Sequence, residues 1–221
     1  MKIGKWTSTD TIKVGECVLE EVEHFCYLGS VLSNNGSCDK EIGSRLGRAN
    51  ATFGRLNNIW RNKGLSITTK TRLYRTLVLT ALLYGAETWS MTKANMKKLE
   101  AAHHRWLRRI LKITWRDKIR NEEVRKRTSM ERLEDMMKKM RLRWLGHLHR
   151  SGDETTLKQT LEWKPSGWRR GRGRPRKTWR STITQDLADG EMTWEDARTA
   201  AEDRIKWRGC VARCATSARR D

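Results

Sequence analysis

Ile42, Leu46, Ala49, Phe53, Leu56 and Trp60 recur at gaps of 4, 3, 4, 3 and 4 residues. That period matches the α-helical turn and sets all six side chains on one stripe. A helix of this length gains most of its stability from packing that stripe, so partner helices are required. The chain supplies them. A second helix is predicted from Thr69 to Tyr84, ending in the apolar run Leu77–Tyr84 before Gly85. That run is apolar on nearly every side and belongs at the centre of a helical core. A third helix, 93–112, places Met96, Leu99, His103, Leu107 and Ile110 on one face, with His103 as a hydrogen-bonded core or boundary residue. After a short helix near 121–127, Thr128-x-x-Glu131 spells a capping box opening a helix over 129–148. Its stripe is Met130, Leu133, Met137, Met140, Trp144 and Leu148. Two helices then finish the chain, one with Trp179, Ile183 and Leu187, the other capped by Thr193 and carrying Trp194, Ala197, Ala201 and Ile205.

The first forty residues read differently. Thr11–Val14, Val18-Leu19 and a strand over Phe25–Leu32 are β-branched and aromatic, and Asn34-Asn35-Gly36 closes the last of these as a turn. The expected fold is therefore mainly α. A short N-terminal β-hairpin precedes a helical bundle, a basic loop and C-terminal helices. The expected boundaries are 1–38 for the strands, 39–150 for the helical domain, 151–180 for an Arg/Gly/Trp linker and 181–221 for the terminal helices.

Charge narrows the function. The formal net charge is +21, yet residues 1–40 sum to −2, which leaves +23 on the other 181. Self-repulsion on this scale disfavours a compact fold unless a polyanion offsets it, which points to nucleic acid. The apolar run Leu77–Tyr84, broken by Thr80, falls far short of the ~18 residues of a membrane span. No apolar leader follows Met1-Lys2, so the expected location is intracellular, nuclear or cytoplasmic. The five cysteines are odd in number and scattered, as expected of reduced thiols. Cys210-x3-Cys214 is half of a zinc set without a second half nearby, and no metal is expected. No phosphate-cradling glycine motif or other cofactor motif appears, and the acidic pairs sit on predicted helices as solvated faces. No catalytic residue is assigned, and the chain reads as a non-enzyme.

The sharpest local signal is the segment from Trp168 to Arg180. Arg169, Arg170, Arg172, Arg174, Arg176, Lys177 and Arg180 fall within it, without an acidic residue. Arg172-Gly173-Arg174-Pro175 is an extended element suited to a narrow A·T-rich minor groove. Trp168 and Trp179 either stack on unpaired bases or anchor the loop to the helical core.

Several stretches, taken in order, resemble the region after the polymerase palm of reverse transcriptases from non-LTR (LINE-type) retrotransposons. They are Phe25-x-Tyr27-Leu28-Gly29, the Ile42–Trp60 helix, Leu73-Tyr74-Arg75, Leu82–Trp89 and Leu107–Leu111. Arg143-Trp144-Leu145-Gly146-His147 with Arg150, and Gly173–Trp179, are similar to the tail of such reading frames. The resemblance implies that Tyr27, Leu28 and Gly29 are primer-grip-like. It also implies that the following helices form a thumb, with Arg45, Arg48, Arg55, Lys97, Arg105, Arg108 and Arg109 facing duplex backbone. The family's catalytic Asp-Asp turn is not matched in this sequence.

The expected function is thus a non-catalytic, nucleic-acid-binding fragment of a retrotransposon reverse transcriptase. Its partners would be RNA and/or DNA and a palm-bearing reverse transcriptase chain, without a membrane and without a cofactor. The alternatives are a chromatin-type DNA binder using Arg172–Pro175, and a non-functional retroelement remnant.

Overall fold

The computed structural model describes residues 12–152, 155–156, 159 and 177–216. Among them the chain is mainly helical, with short hairpins at the N-terminal end. It divides into two compact units, the first drawn from the stretch up to Gly85 and from Lys93–Met130, the second from Ala86–Thr92 and from Glu131 onward.

In the first unit, β1 (Lys13–Val14) pairs antiparallel with β2 (Cys17–Val18), and β3 (His24–Tyr27) with β4 (Ser30–Ser33). The expected single strand over 25–32 is therefore a hairpin. Leu28 and Gly29 form its two-residue turn with φ of 48° and 79°. Positive φ at both turn residues gives the twist that a tight hairpin needs, and the glycine makes the second of them inexpensive.

Helix α1 (Asp39–Arg55) buries the predicted stripe, with Ile42, Ala49 and Phe53 inside. It is followed by α2 (Asn57–Arg61), where Trp60 is 1% exposed. The Trp60 indole N–H donates to the Phe53 carbonyl at 2.8 Å, satisfying an acceptor left open where α1 ends. Phe53 stacks on Trp60 and on Trp106, with centroids 5.0 and 5.9 Å away, and meets Tyr74 edge-on at 6.3 Å. Each such aromatic pair is worth about 0.5–1.5 kcal/mol beyond its buried area.

Helix α3 (Ile67–Leu73), opened by the Ser66 hydroxyl accepting from the Thr69 amide, continues as a π-helical stretch Tyr74–Leu79 and then α4 (Thr80–Leu82). Thr76 and Thr80 hydroxyls donate back to the carbonyls of Arg72 and Thr76 along this widened stretch. Val78, Leu79, Leu82 and Leu83 of the apolar run line the interior with Tyr74, but Leu77 and Tyr84 at its two ends are exposed, so the run is buried on one face and not all round. Helix α5 (Lys93–Leu111) buries Leu99, His103, Leu107 and Ile110, and α6 (Asn121–Thr128) closes the unit.

The second unit is built on α7 (Leu133–Arg150), α8 (Trp179–Ala188), α9 (Trp194–Glu202) and α10 (Arg204–Thr216). The expected capping box at Thr128 does not form. Ser129 is left-handed at φ 49° and ends α6, the Thr128 hydroxyl donates to Val124, and α7 starts later, at Leu133. Glu131 instead pairs with Lys139 at 2.7 Å. Among the described residues, the terminal region holds three helices where two were expected. Asp203 separates the last two, its carboxylate accepting from the Ile205 amide at 2.7 Å at the start of α10. Ile205 consequently leaves the α9 stripe and is 80% exposed.

Trp207, Cys210, Val211 and Cys214 of α10 join Leu142, Leu145, Ile183, Leu187 and Ala197 in one core. Trp207 lies so close to α7 that a Cβ added at Gly146 would fall 2.1 Å from its indole nitrogen. That indole N–H donates to the Leu142 carbonyl at 3.0 Å. The glycine of the Trp144-Leu145-Gly146 motif is thus a packing requirement.

Candidate nucleic-acid interface

Three arginines of α5, and the lysine that follows it, gather near its C-terminal end. Lys97, Ala101, Arg105 and Arg109 follow one another at steps of four, and Arg108 and Lys112 lie beside them at i+3 and i+7 from Arg105. A cleft of about 640 Å³ opens there, lined by Ala101, His104, Arg105, Arg108, Arg109, Lys112, Ile113, Thr114 and Asn121. Its lining carries four side-chain cations and no carboxylate. Among the described residues, none of those four cations lies within ion-pair distance of an acidic group.

Two of the guanidiniums are positioned by neutral acceptors. Arg108 donates to the Ile119 carbonyl at 2.6 Å and to Asn121 Oδ1 at 3.0 Å. Arg109 donates to Asn57 Oδ1 at 2.9 Å and sits over the Phe53 ring. Neutral acceptors orient a guanidinium without cancelling its charge, leaving donors for an anion. Cations in the last helical turn are favourable toward the helix dipole, which offsets part of their mutual repulsion.

Lys112 sits where α5 reverses. The Ile113 amide donates to Arg108 and the Lys112 amide to Arg109, the two bonds of a Schellman ending, with Lys112 itself at φ 59°. Glycine is usual there; a lysine accepts about 1–2 kcal/mol of backbone strain.

His104 adds no charge. Its Nδ1 donates to the Glu100 carbonyl at 2.9 Å, and its Nε2 accepts from Arg125 at 3.1 Å. Burial pushes its pKa down, Glu100 opposes this, and Arg125 and Arg108 push it further down, with the net shift downward. The imidazole is therefore neutral near pH 7.

The sequence-predicted residues divide clearly. Arg105, Arg108 and Arg109 line the cleft, Lys97 is exposed on the same helix, and Arg48 and Arg55 are exposed on α1. Arg45 goes elsewhere. It is 4% exposed, donates to Glu41 at 2.6 Å and to the Gly29 carbonyl at 2.7 Å, and lies 4.4 Å over the Tyr84 ring. Glu41 in turn accepts from the Val31 amide. Arg45 is thus a clamp between α1 and the β3–β4 turn, and its guanidinium has no open face for phosphate.

Tyr27 and Leu28 are 58% and 75% exposed at that turn, which Arg48 and the Tyr84 hydroxyl also hold, through the Gly29 and Leu28 carbonyls. In the second unit Lys177 is exposed, while Trp179 packs on the core and donates its indole N–H to the Glu87 carbonyl at 2.7 Å. That is the anchoring alternative for Trp179. Trp168, Arg169, Arg170, Arg172, Arg174 and Arg176 lie outside the described residues.

Cys210 and Cys214 are buried in the apolar core, where burial pushes the Cys214 thiol up and keeps it protonated. Among the described residues, no three His, Cys, Asp or Glu side chains gather to hold a metal ion, and no helix is long and apolar enough to cross a membrane. Sequence reasoning placed Lys112 on the basic face of this helix but passed over His104 as a cleft residue, because His104 faces Arg125 across a tertiary contact that spacing does not reveal.

The fold and cleft define a basic, mainly helical protein with a cationic concavity on one unit. The chain belongs to a family of transposon-derived proteins. It is 30% identical over 212 residues to an uncharacterized transposon-derived protein of Caenorhabditis elegans, the match covering 90% of this chain and 74% of that one. No family model and no solved structure matches.

Proposed function

We propose that this transposon-derived chain binds nucleic acid through backbone phosphates at the α5 cleft, as a non-catalytic, thumb-like part of a LINE-type reverse transcriptase. The observation that carries the reading is the row Arg105, Arg108, Arg109 and Lys112, without an acidic partner among the described residues, on a chain of net charge +21. Exposed Lys97, Arg48 and Arg55 extend the same positive field within the first unit. In this reading Tyr27, Leu28 and Gly29 correspond to the primer grip, and a palm-bearing chain supplies the chemical step.

Phosphate neutralisation releases counterions, so affinity should fall steeply with salt, by about 0.9 in the log–log slope per contact on duplex DNA. The test is fluorescence anisotropy with a labelled RNA–DNA hybrid and a matched DNA duplex between roughly 50 and 200 mM salt. Arg105→Ala with Arg109→Ala should lower the slope by about 2 and weaken all sequences alike. A flat salt response of the unaltered chain, or an unchanged slope in the double variant, would overturn the assignment. Displacement by the minor-groove ligand netropsin would transfer the contact to Arg172–Pro175.

A further inference from the structure

Trp115 is 81% exposed, although tryptophan is largely buried on average. Its neighbours Ile113 and Thr114 are part of the cationic cleft. The turn that presents it is held at both ends. The Thr114 amide and hydroxyl both donate to Asp117 Oδ2, at 2.6 and 2.8 Å. Lys112 before the turn and Lys118 after it are left-handed, at φ 59° and 49°. Non-glycine residues in that region are uncommon and mark a conformation that the surroundings dictate. Arg116 lies against the ring, its guanidinium carbon 5.6 Å from the centroid. The backbone that presents the indole is thus held, and the ring itself has a cation beside it and is otherwise open to solvent.

A phosphate-binding groove needs no exposed aromatic ring; a surface that receives unpaired bases does, because every base offers a π-face for stacking. We infer that Trp115 is a base-stacking platform at the mouth of the cleft. The ligand class is then single-stranded nucleic acid or the frayed end of a duplex, with the backbone on Arg105, Arg108, Arg109 and Lys112 and one base on the indole. The inference rests on the phosphate-binding reading and adds one contact, to an unstacked base, which a blunt duplex interior cannot offer.

The test compares Trp115→Ala with the unaltered chain on two probes at one salt concentration: an oligothymidylate of about 20 nucleotides and a blunt duplex of the same length. The expected result is a loss of about tenfold or more on the single strand, the scale of one stacked base. Blunt-duplex affinity should change little, the salt slope should not change because no charge is removed, and Trp115→Phe should restore most of the loss. Equal losses on both probes, or no loss on the single strand, would overturn the platform while leaving phosphate binding in place. An unaltered chain that binds neither probe would overturn the phosphate reading and the platform with it.

Discussion

The two units treat their cations in opposite ways. In the second unit, Arg141 of α7 forms a bidentate pair with Asp186 of α8 at 2.7 and 3.1 Å, with side-chain exposures of 3% and 9%. One turn earlier, Lys138 reaches Asp189 at 2.6 Å. These charges are spent internally, joining two helices. On α5 of the first unit, Arg105, Arg108, Arg109 and Lys112 have no such acidic partners among the described residues. A count of basic residues along the chain cannot separate the two populations. Burial and partner identity do, and only the second population leaves a field for an external anion.

The largest effect that sharpens this contrast is Arg141→Ala. It strands the Asp186 carboxylate in a nearly dry site, and breaking a buried pair from one side costs about 3–5 kcal/mol. Urea unfolding monitored by hydrogen exchange in α7 and α8 should show a loss of that size. A loss below about 1 kcal/mol, the range of a surface pair, would mean that the pair is effectively solvated and that the contrast is false.

Acid should act on the two units in different windows. Burial, with His104 and Arg125 adding to it, pushes His103 down to about 3. An unfolded histidine takes up its proton near pH 6.5 while the folded one does not, so the first unit should lose stability progressively from about pH 6.5 toward pH 3. In the second unit, burial pushes the Asp189 carboxyl up, but hydrogen bonds from Lys138 and Gln185 and the Lys138 charge outweigh it, and the net shift is downward. That contribution is intact above the unfolded value of about 3.9 and is lost only as the pH falls through the lower folded value. Hydrogen exchange across pH 7 to 3 should show the first unit weakening before the second, and His103→Asn should flatten its slope. Simultaneous weakening, unchanged in that variant, would dissociate His103 from the effect.

The smallest effect is Arg105→Ala on stability. An exposed cation without an ionic partner should leave the melting free energy within about 0.5 kcal/mol, while the affinity for nucleic acid falls. A stability loss above 1 kcal/mol would place Arg105 among the structural cations with Arg141.

Most of the helical architecture was legible because apolar periodicity dictates it: Ile42, Ala49, Phe53 and Trp60 of the first stripe are buried, with Leu46 and Leu56 half-buried, and Leu99, Leu107 and Ile110 of α5 are buried too. The Thr193 cap and the final core positions Ala197 and Ala201 were equally readable. What failed was local chemistry that tertiary context overrode. Thr128-x-x-Glu131 has a capping spelling, but a left-handed Ser129 ends one helix where the box would have opened the next. Tyr27-Leu28-Gly29-Ser30 reads as strand by composition, yet it folds back on a two-residue turn. Arg45 fell off the apolar stripe by spacing and is buried all the same, because Glu41, Gly29 and the Tyr84 ring surround it. On α5 the cations were readable as a basic face; the concavity beside them was not, since it depends on how 112–121 returns to the helix.

The close fit of Trp207 against Gly146 makes the last helix a keystone. Its indole fills a notch that one missing methyl group leaves in α7, and its N–H engages the Leu142 carbonyl alongside. A version of the chain shortened before Arg204 would open that notch to water and bare the hydrocarbon interior around Leu142, Leu145 and Ile183.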